Sequence, residues 1–279
     1  MADQPAPGSG EACCIIIPAR YSSSRFPGKP LARLRGAEGI ERSLIEWSWR
    51  AAKAVPGAHR VIVATDDSRI FDEVKRFGGE AIMTPSDCLN GTERCAAVLD
   101  VLDDKPDVVL NFQGDAPLTP PDIAAAVIRR MVQDPSLAMA TPAIRCNAET
   151  AVHLLADSKA GRVGGTTMVF DQARYALYFS KSLIPHVPAD TAPDAAPLYL
   201  HLGIYAYRPS ALATYAGMEP TPLELAEGLE QLRFLEAGIR VAAVICEPPV
   251  GSTIELNNPS DVPLIEAELQ RRGLAQETE

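Results

Sequence analysis

Three cationic residues share one short loop near the start of the chain. Arg20, Arg25 and Lys29 lie among serine, proline and glycine residues, directly after the apolar run 13–17. The length and β-branched content of that run predict a buried strand, so the cations follow its carboxyl end. Open α/β sheets bind ligands at that edge, and three cations there can hold a polyanion such as a triphosphate. A solvent-exposed basic turn is the alternative interpretation.

A carboxylate follows a second apolar run in the same way. Gln113, Gly114 and Asp115 come directly after residues 108–112, another predicted strand. Beside a nucleoside triphosphate such a carboxylate is a natural Mg²⁺ ligand, because Mg²⁺ takes one or two carboxylates together with phosphate oxygens. Gly114 would allow the backbone to approach a ligand closely. The alternative is that Asp115 only begins a turn with Pro117.

A third candidate segment opens a predicted helix at residues 91–94, which read Gly-Thr-Glu-Arg. Backbone amides at a helix N-terminus and the Thr92 hydroxyl can meet a nucleotide, and Arg94 can reach a base or a phosphate. A helix cap followed by a surface arginine is the simpler alternative. Neither the G-x-G-x-x-G fingerprint nor the G-x-x-x-x-G-K-[ST] loop occurs, which argues against a dehydrogenase and a P-loop protein.

The elements that must position these residues alternate between apolar, β-rich runs and helical patterns. This alternation predicts an α/β fold with a doubly wound, mostly parallel sheet. The predicted strands span residues 13–17, 60–65, 80–83, 108–111, 138–144, 166–170, 175–180, 201–207 and 240–245. The predicted helices span residues 43–54, 68–77, 92–102, 121–133, 222–237 and 259–272.

Bulk composition excludes several classes of partner. A chain of 279 residues with 47% hydrophobic and 22% charged residues can bury a full core. Its net charge of −10 argues against general binding of nucleic acid or of an anionic membrane surface, since either needs a basic face. The sequence contains no run of about 18 apolar residues, so no membrane-spanning helix is predicted.

The N-terminal residues and the cysteines indicate the cellular compartment of the protein. Residues 1–11 lack the basic start and apolar core of a signal peptide, and we predict a disordered tail there. Six cysteines include no C-x-x-C pair. Without an export signal they are expected to be reduced, which predicts a cytoplasmic protein.

Taken together, these motifs resemble the 3-deoxy-manno-octulosonate (Kdo) cytidylyltransferases, a family of sugar nucleotidyltransferases. The likeness runs in order from about residue 13 to residue 262. The blocks that carry it are IIIPARYSSSRFPGKPL at 15–31, VIVATDD at 61–67, GTER at 91–94, NFQGD at 111–115, YALYFS at 175–180, HLGIYAY at 201–207, PLE at 222–224 and LEQLR at 229–233.

The resemblance implies an activity and a division of the chain. Such an enzyme transfers CMP from CTP to the anomeric hydroxyl of Kdo, with Mg²⁺ as cofactor, releases pyrophosphate, and serves lipopolysaccharide or capsule synthesis as a homodimer. The expected fold is nucleotide-diphospho-sugar transferase-like. Its nucleotide-binding α/β core would be residues 12–160, its inserted sugar-binding and dimerisation lobe 161–220, and the part that completes the core 221–279.

The resemblance also implies roles for particular residues. Catalysis would fall to Arg20, Lys29 and Asp115, and the metal ligands would be Asp115 and Asn257. The residues expected at the nucleotide are Pro18, Ala19, Arg20, Ser23, Lys29, Gly91, Arg94 and Gln113, and those expected at the sugar are Lys181, His201, Glu230 and Gln231, with Lys181 and His201 directed toward its carboxylate.

Three positions depart from the family pattern. Asn257 stands where the family has a metal-binding aspartate, Ala116 where it usually has glutamate, and Lys181 where it commonly has arginine. Glu255, two residues before Asn257, is placed to compensate for the lost carboxylate. The departures leave two alternatives open: the same chemistry on another acidic sugar such as an 8-modified Kdo, or a non-catalytic nucleotide-binding paralogue.

Overall fold

The structure of the chain is a computed structural model that describes residues 12–23 and 25–273. The predicted disordered tail, 1–11, lies outside the described residues. The strands are β1 (Cys13–Ala19), β2 (Arg33–Arg35), β3 (Glu41–Ser43), β4 (Ala58–Thr65), β5 (Glu80–Met83), β6 (Val108–Asn111), β7 (Met139–Arg145), β8 (Thr167–Phe170), β9 (Ala176–Ser180), β10 (Tyr199–His201), β11 (Tyr205–Tyr207) and β12 (Val241–Cys246). The α-helices are α1 (Leu44–Lys53), α2 (Ser68–Arg76), α3 (Gly91–Val101), α4 (Pro121–Gln133), α5 (Ala148–Lys159), α6 (Pro209–Ala216), α7 (Pro222–Glu227), α8 (Leu232–Glu236) and α9 (Val262–Arg271).

The main sheet has the strand order β5-β4-β1-β6-β11-β7-β10-β8-β9, and β12 pairs with β7 in parallel. Strands β5, β4, β1 and β6 are parallel neighbours. The strand pairs that involve β8, β9, β10 and β11 are antiparallel. The predicted α/β class, a mostly parallel sheet covered by helices, is confirmed, and β2 and β3 form a separate hairpin.

Helices cover both faces of the sheet, and the sequence of β1 shows why. Cys13, Ile15 and Ile17 enter one hydrophobic cluster with residues of α1 and α4. Cys14 and Ile16 enter a second cluster, on the other face, with residues of α3 and α6. A strand buried on both faces is apolar at every position rather than at alternate ones, which is why residues 13–17 form a continuous apolar run.

Two predicted elements are wrong, because the sequence pattern predicts one continuous element in each case and the structure has two. The helix predicted at 222–237 is divided into α7 and α8, since Gly228 adopts a left-handed conformation with φ of 62°, which glycine tolerates and other residues avoid. The strand predicted at 201–207 is divided into β10 and β11, with Ile204 N donating to the Leu202 carbonyl at 2.6 Å between them. Helices α5 and α6 and the hairpin of β2 and β3 were not predicted.

The proposed division of the chain at residues 161 and 220 remains a prediction. Within that range, β11 pairs with both β6 and β7 in the main sheet, and α6 packs on α3. Across the described residues, no helix is both long and apolar enough to cross a membrane.

Candidate active site

The carboxyl ends of β1 and β6 open on a cleft of about 680 Å³. Ala19 ends β1 and Gln113 lies two residues beyond the end of β6, so adjacent parallel strands bring both residues to one edge of the sheet. The cleft is lined by all eight residues predicted at the nucleotide: Pro18, Ala19, Arg20, Ser23, Lys29, Gly91, Arg94 and Gln113. The structure therefore brings together segments that lie far apart in the sequence.

An ion pair joins two of the predicted catalytic residues inside this cleft. Lys29 Nζ donates to Asp115 Oδ2 at 2.5 Å and to the Leu256 carbonyl at 3.1 Å. The two charged side chains are only 16% and 23% exposed. Gly28, with φ of 71°, precedes the turn that carries Lys29. The Gly28 N–H donates to the Tyr21 carbonyl at 2.9 Å, and this hydrogen bond joins the two ends of the loop before Lys29.

The segment 255–257 lies beside this ion pair. Leu256 N donates to the Asp115 carbonyl at 2.8 Å, and Arg25 Nη2 donates to Asn257 Oδ1 at 2.9 Å. Burial, and next the negative charge of Asp115, raise the pKa of Glu255 to about 7, while Lys29 and Arg25 oppose that rise. A carboxylate, an amide oxygen and two cations of this group, on Asp115, Asn257, Lys29 and Arg25, line the cleft.

Arg94 lies in the cleft wall but is firmly held by the protein. Its side chain is 3% exposed, and it donates to Thr84 Oγ1 at 2.6 Å and to Asp66 Oδ2 at 3.1 Å. The alternative of a surface arginine is therefore wrong. Asn90 caps α3 by accepting from Glu93 N at 2.9 Å, which presents Gly91 to the cleft.

Two of the residues predicted at the sugar, Glu230 and Gln231, lie just after Gly228, between α7 and α8. Glu230 lines the nucleotide cleft, and its Oε2 accepts from Thr92 N at 3.0 Å. Burial is the main cause that raises the pKa of Glu230. Gln231 is buried beneath the cleft wall, where its Oε1 accepts from the Tyr205 hydroxyl at 3.1 Å. Tyr205 both packs in the core and lines the cleft.

His201 lines a second cleft of about 870 Å³, which meets the first at Arg25 and Asn257. The Thr141 hydroxyl donates its proton to the Ile204 carbonyl at 2.7 Å, so His201 Nε2, 2.9 Å away, must donate to Thr141 Oγ1. Nδ1 is then an acceptor. Burial lowers the pKa of His201 to about 3. The ring is therefore neutral and offers Nδ1 as a hydrogen-bond acceptor, and the expected direction of His201 toward the sugar carboxylate stays a prediction.

Lys181 lies at the rim, outside the residues that line either cleft. Its side chain is exposed, and a Cβ added to Gly228 would lie 2.9 Å from its Nζ. Gly228 itself lines the nucleotide cleft, so the Lys181 ammonium group lies next to a residue of the cleft wall. Ala116, the other departure from the family pattern, is 3% exposed and packs away from both clefts.

Sequence reasoning missed a buried charge network behind the cleft. Arg233, 1% exposed, donates from Nε to Glu224 Oε2 at 2.6 Å and from Nη2 to Glu224 Oε1 at 2.7 Å. It also donates to Glu93 at 3.0 Å, and its guanidinium lies 4.1 Å from the ring centroid of Tyr215. The available signal was the position of Arg233 between the apolar residues Leu232 and Phe234, because an arginine is almost never fully buried unless it is paired.

The chain matches known proteins over most of its length. The family model described as cytidylyltransferase matches residues 14–241. A 3-deoxy-manno-octulosonate cytidylyltransferase of Maricaulis maris is 48% identical over 259 residues, covering 92% of this chain and 97% of that protein. Another of that name, from Chlamydia trachomatis, is 38% identical and covers 90% and 91% of the two chains.

A solved structure supports the same relationship in three dimensions. CMP:2-keto-3-deoxy-manno-octonic acid synthetase, complexed with CTP, matches with a TM-score of 0.78 and 34% identity, over 92% of this chain and 97% of that one. The resemblance predicted from the sequence motifs is confirmed. This chain belongs to the cytidylyltransferase family and is a nucleotidyltransferase.

Proposed function

We propose that this chain transfers CMP from CTP to the anomeric hydroxyl of Kdo and releases pyrophosphate. The observation that carries the proposal is the single cleft that gathers the eight predicted nucleotide residues around the Lys29–Asp115 ion pair. Relatives that carry the name of this activity, at 48% and 38% identity over nearly their whole length, support it.

In the proposed reaction the anomeric hydroxyl oxygen attacks the α-phosphorus in line. The bond from that phosphorus to the bridging oxygen of the β-phosphate breaks, pyrophosphate leaves, and the hydroxyl proton passes to solvent. No covalent enzyme intermediate is needed, so positioning and electrostatic stabilisation account for catalysis. Arg20, Arg25 and Lys29 would bind the triphosphate oxygens and offset their charge.

The donor set at the end of the cleft fits Mg²⁺. Asp115 offers a carboxylate and Asn257 an amide oxygen, both on the cleft wall, and Mg²⁺ binds one or two carboxylates with phosphate oxygens completing the shell. Among the described residues no group of three or more His, Cys, Asp and Glu could hold a metal alone, so the nucleotide would have to supply ligands. When bound, Mg²⁺ supplies positive charge beside the transferred phosphate.

The acceptor sugar would bind where the two clefts meet. Glu230 and Gln231 offer groups for sugar hydroxyls, and Nδ1 of His201 can accept a hydroxyl proton in a hydrogen bond. Lys181 would supply the positive charge for the carboxylate from the rim. A cytoplasmic homodimer is the proposed working state, and the six cysteines, all free thiols, suit a reducing compartment.

Pyrophosphate release from CTP and Mg²⁺ in the presence of Kdo tests the proposal. We expect release that depends on Kdo and falls at least 100-fold in Asp115→Ala. The matched control is Asp104→Ala, at an exposed carboxylate away from the cleft. Absence of release with Kdo, in protein that binds CTP, would contradict the Kdo assignment.

A second candidate is the same transfer to another acidic sugar, such as an 8-modified Kdo. Lys181 favours it, because an ammonium group makes a single point contact where a guanidinium would hold a carboxylate through two hydrogen bonds. Comparing kcat/KM for Kdo and for an 8-modified Kdo decides between the acceptors. CTP binding without transfer to either sugar would indicate the non-catalytic paralogue.

A further inference from the structure

We propose that Arg69, which is not among the residues that line either cleft, is a positioning residue for the loop that would bind the triphosphate. This loop, residues 20–29, carries the three cations that line the nucleotide cleft. The inference rests on the proposed function, since it assumes that these cations bind CTP. It assigns the shape of the loop to a contact between Arg69, on α2, and the ring of Tyr21.

The Tyr21 ring contacts both α2 and the far end of its own loop. The guanidinium carbon of Arg69 lies 3.4 Å from the centroid of this ring, which is the arrangement of a cation–π contact. A Cβ added to Gly28 would lie 2.9 Å from two carbons of the same ring, so the Gly28 backbone packs against it. Gly28 N also donates to the Tyr21 carbonyl at 2.9 Å. Arg69 thus contacts the residue that joins the two ends of the loop.

Asp67 fixes the direction of the Arg69 side chain. Its Oδ1 accepts from Arg69 Nε at 2.9 Å, and its Oδ2 accepts from Arg69 Nη2 at 2.7 Å. Two hydrogen bonds of this kind orient the plane of a guanidinium. Asp67 is only 18% exposed and also caps α2, since its Oδ1 accepts from Arg69 N at 3.0 Å. The carboxylate therefore holds in place an arginine that is itself 57% exposed.

The loop gains from such a contact because of its composition. It consists largely of small or polar residues, with several serines, a proline and a glycine, and its cations Arg20 and Arg25 are exposed. Ordering an exposed segment when a ligand binds costs conformational entropy. A tyrosine held by Arg69 restricts the loop before the nucleotide binds, which lowers that cost. Arg69 can therefore favour nucleotide binding without touching the nucleotide.

Positioning and simple charge attraction make opposite predictions for Asp67→Asn. This change keeps α2 capped, because asparagine caps a helix about as well as aspartate does, and it removes a negative charge near the loop. If Arg69 acted only through its charge, CTP would bind more tightly. We expect instead that Asp67→Asn weakens CTP binding about twofold and Arg69→Ala about fivefold, on the scale of an exposed cation–π contact. Calorimetric titration of the full chain with CTP and Mg²⁺ measures both.

Limited digestion with trypsin tests the loop in the absence of nucleotide. Trypsin cuts after arginine, and the bonds that follow the exposed residues Arg20 and Arg25 lie within the loop. We expect Arg69→Ala to be cut at these two bonds about threefold faster than the unaltered chain, because cleavage follows the population of the open loop. Mass spectrometry of the fragments identifies the bonds that are cut.

Arg240→Ala is the matched control. The Arg240 guanidinium lies 3.3 Å from the ring centroid of Tyr175, is 61% exposed and has Asp171 at 3.6 Å, and it lines neither cleft. The change removes the same kind of contact elsewhere, so loop cleavage and CTP affinity should stay as in the unaltered chain.

Unchanged loop cleavage or unchanged CTP affinity in Arg69→Ala would overturn the proposal, as would tighter CTP binding in Asp67→Asn. Failure of the unaltered chain to bind CTP would instead contradict the proposed function. The two failures are distinguishable, because loop cleavage is measured without nucleotide.

Discussion

At the scale of single residues, the site is organised by paired charges before any substrate binds. Lys29 is held by Asp115 and by the Leu256 carbonyl, and Arg94 is held by Asp66 and Thr84. Side chains fixed in this way lose little further rotamer freedom on binding. The cleft is therefore prepared for a charged ligand, with Arg20 and Arg25 as its exposed cations.

Neutral His201 predicts a pH dependence of stability. Burial lowers the pKa of this histidine from 6.5 to about 3, so between those values the unfolded chain binds a proton that the folded chain does not. The free energy of unfolding should therefore decrease as pH falls from about 6.5 toward 3. His201→Gln should reduce that slope, measured by urea unfolding at several pH values.

The exposed His153 provides the control, since water surrounds it in both states. His153→Gln should keep the slope of the unaltered chain. Equal slopes for His201→Gln and the unaltered chain would show that His201 is not buried as a neutral ring.

At the scale of elements, the site depends on close approach between the ends of β1 and β6. A Cβ added to Gly114 would lie 2.6 Å from the Pro18 carbonyl oxygen, which is backbone of β1 and cannot move alone. We expect Gly114→Ala to destabilise the fold by about 1–3 kcal/mol and to weaken CTP binding. Urea unfolding and calorimetric titration with CTP measure the two effects.

Gly217→Ala is the matched control for that substitution. Its added Cβ would make only ordinary contacts, at 3.6 Å with the Thr214 carbonyl oxygen and at 3.9 Å with that of Ala213. Gly217 follows the end of α6 and does not line the cleft. Stability and CTP affinity should stay close to those of the unaltered chain. If Gly114→Ala left the free energy of unfolding and the CTP affinity unchanged, the ends of β1 and β6 would not be in contact.

The short helices α7 and α8 are joined to α3 by the buried guanidinium of Arg233. Arg233→Met would leave Glu224 buried without its counter-charge, and we expect a loss of about 3–5 kcal/mol in the free energy of unfolding. The same change at Arg162, which is 63% exposed beside Asp157, should cost less than about 1 kcal/mol. Equal losses in the two variants would contradict the structural role of the buried network.

At the scale of the whole molecule, the net charge is −10, yet one cleft gathers several positive charges. The loop cations Arg20, Arg25 and Lys29 all line the one cleft, so a polyanion can bind there although the surface as a whole is acidic. The three loop cations thus give the phosphates of a nucleotide a local positive charge that the net charge of the chain does not supply.

Binding of CTP should stabilise the folded chain. At a concentration of 100 times Kd, a ligand that binds only the folded state adds about 2.7 kcal/mol, which corresponds to a rise of roughly 5 °C in Tm for a domain of this size. Differential scanning fluorimetry with CTP and Mg²⁺ measures the shift. GTP at equal concentration is the control, and an equal shift with GTP would contradict recognition of the cytosine base.

The sequence by itself determined the strands that carry the site and the residues at their ends. The continuous apolar run of β1 and the shorter one at residues 108–110 of β6 are local signals, because burial on both faces favours apolar residues at successive positions of a strand. Since parallel strands meet at one edge, the convergence of Lys29, Gln113 and Asp115 followed from order alone. Their motifs also sufficed to identify the family.

The tertiary structure decided everything that depends on contacts between distant segments. No local pattern shows that His201 contacts Thr141 and lines a second cleft, that Glu230 accepts a hydrogen bond from Thr92, or that Leu256 contacts Asp115. These placements depend on burial and on partners from other strands and helices, whereas periodicity records only which face of its own element a residue occupies.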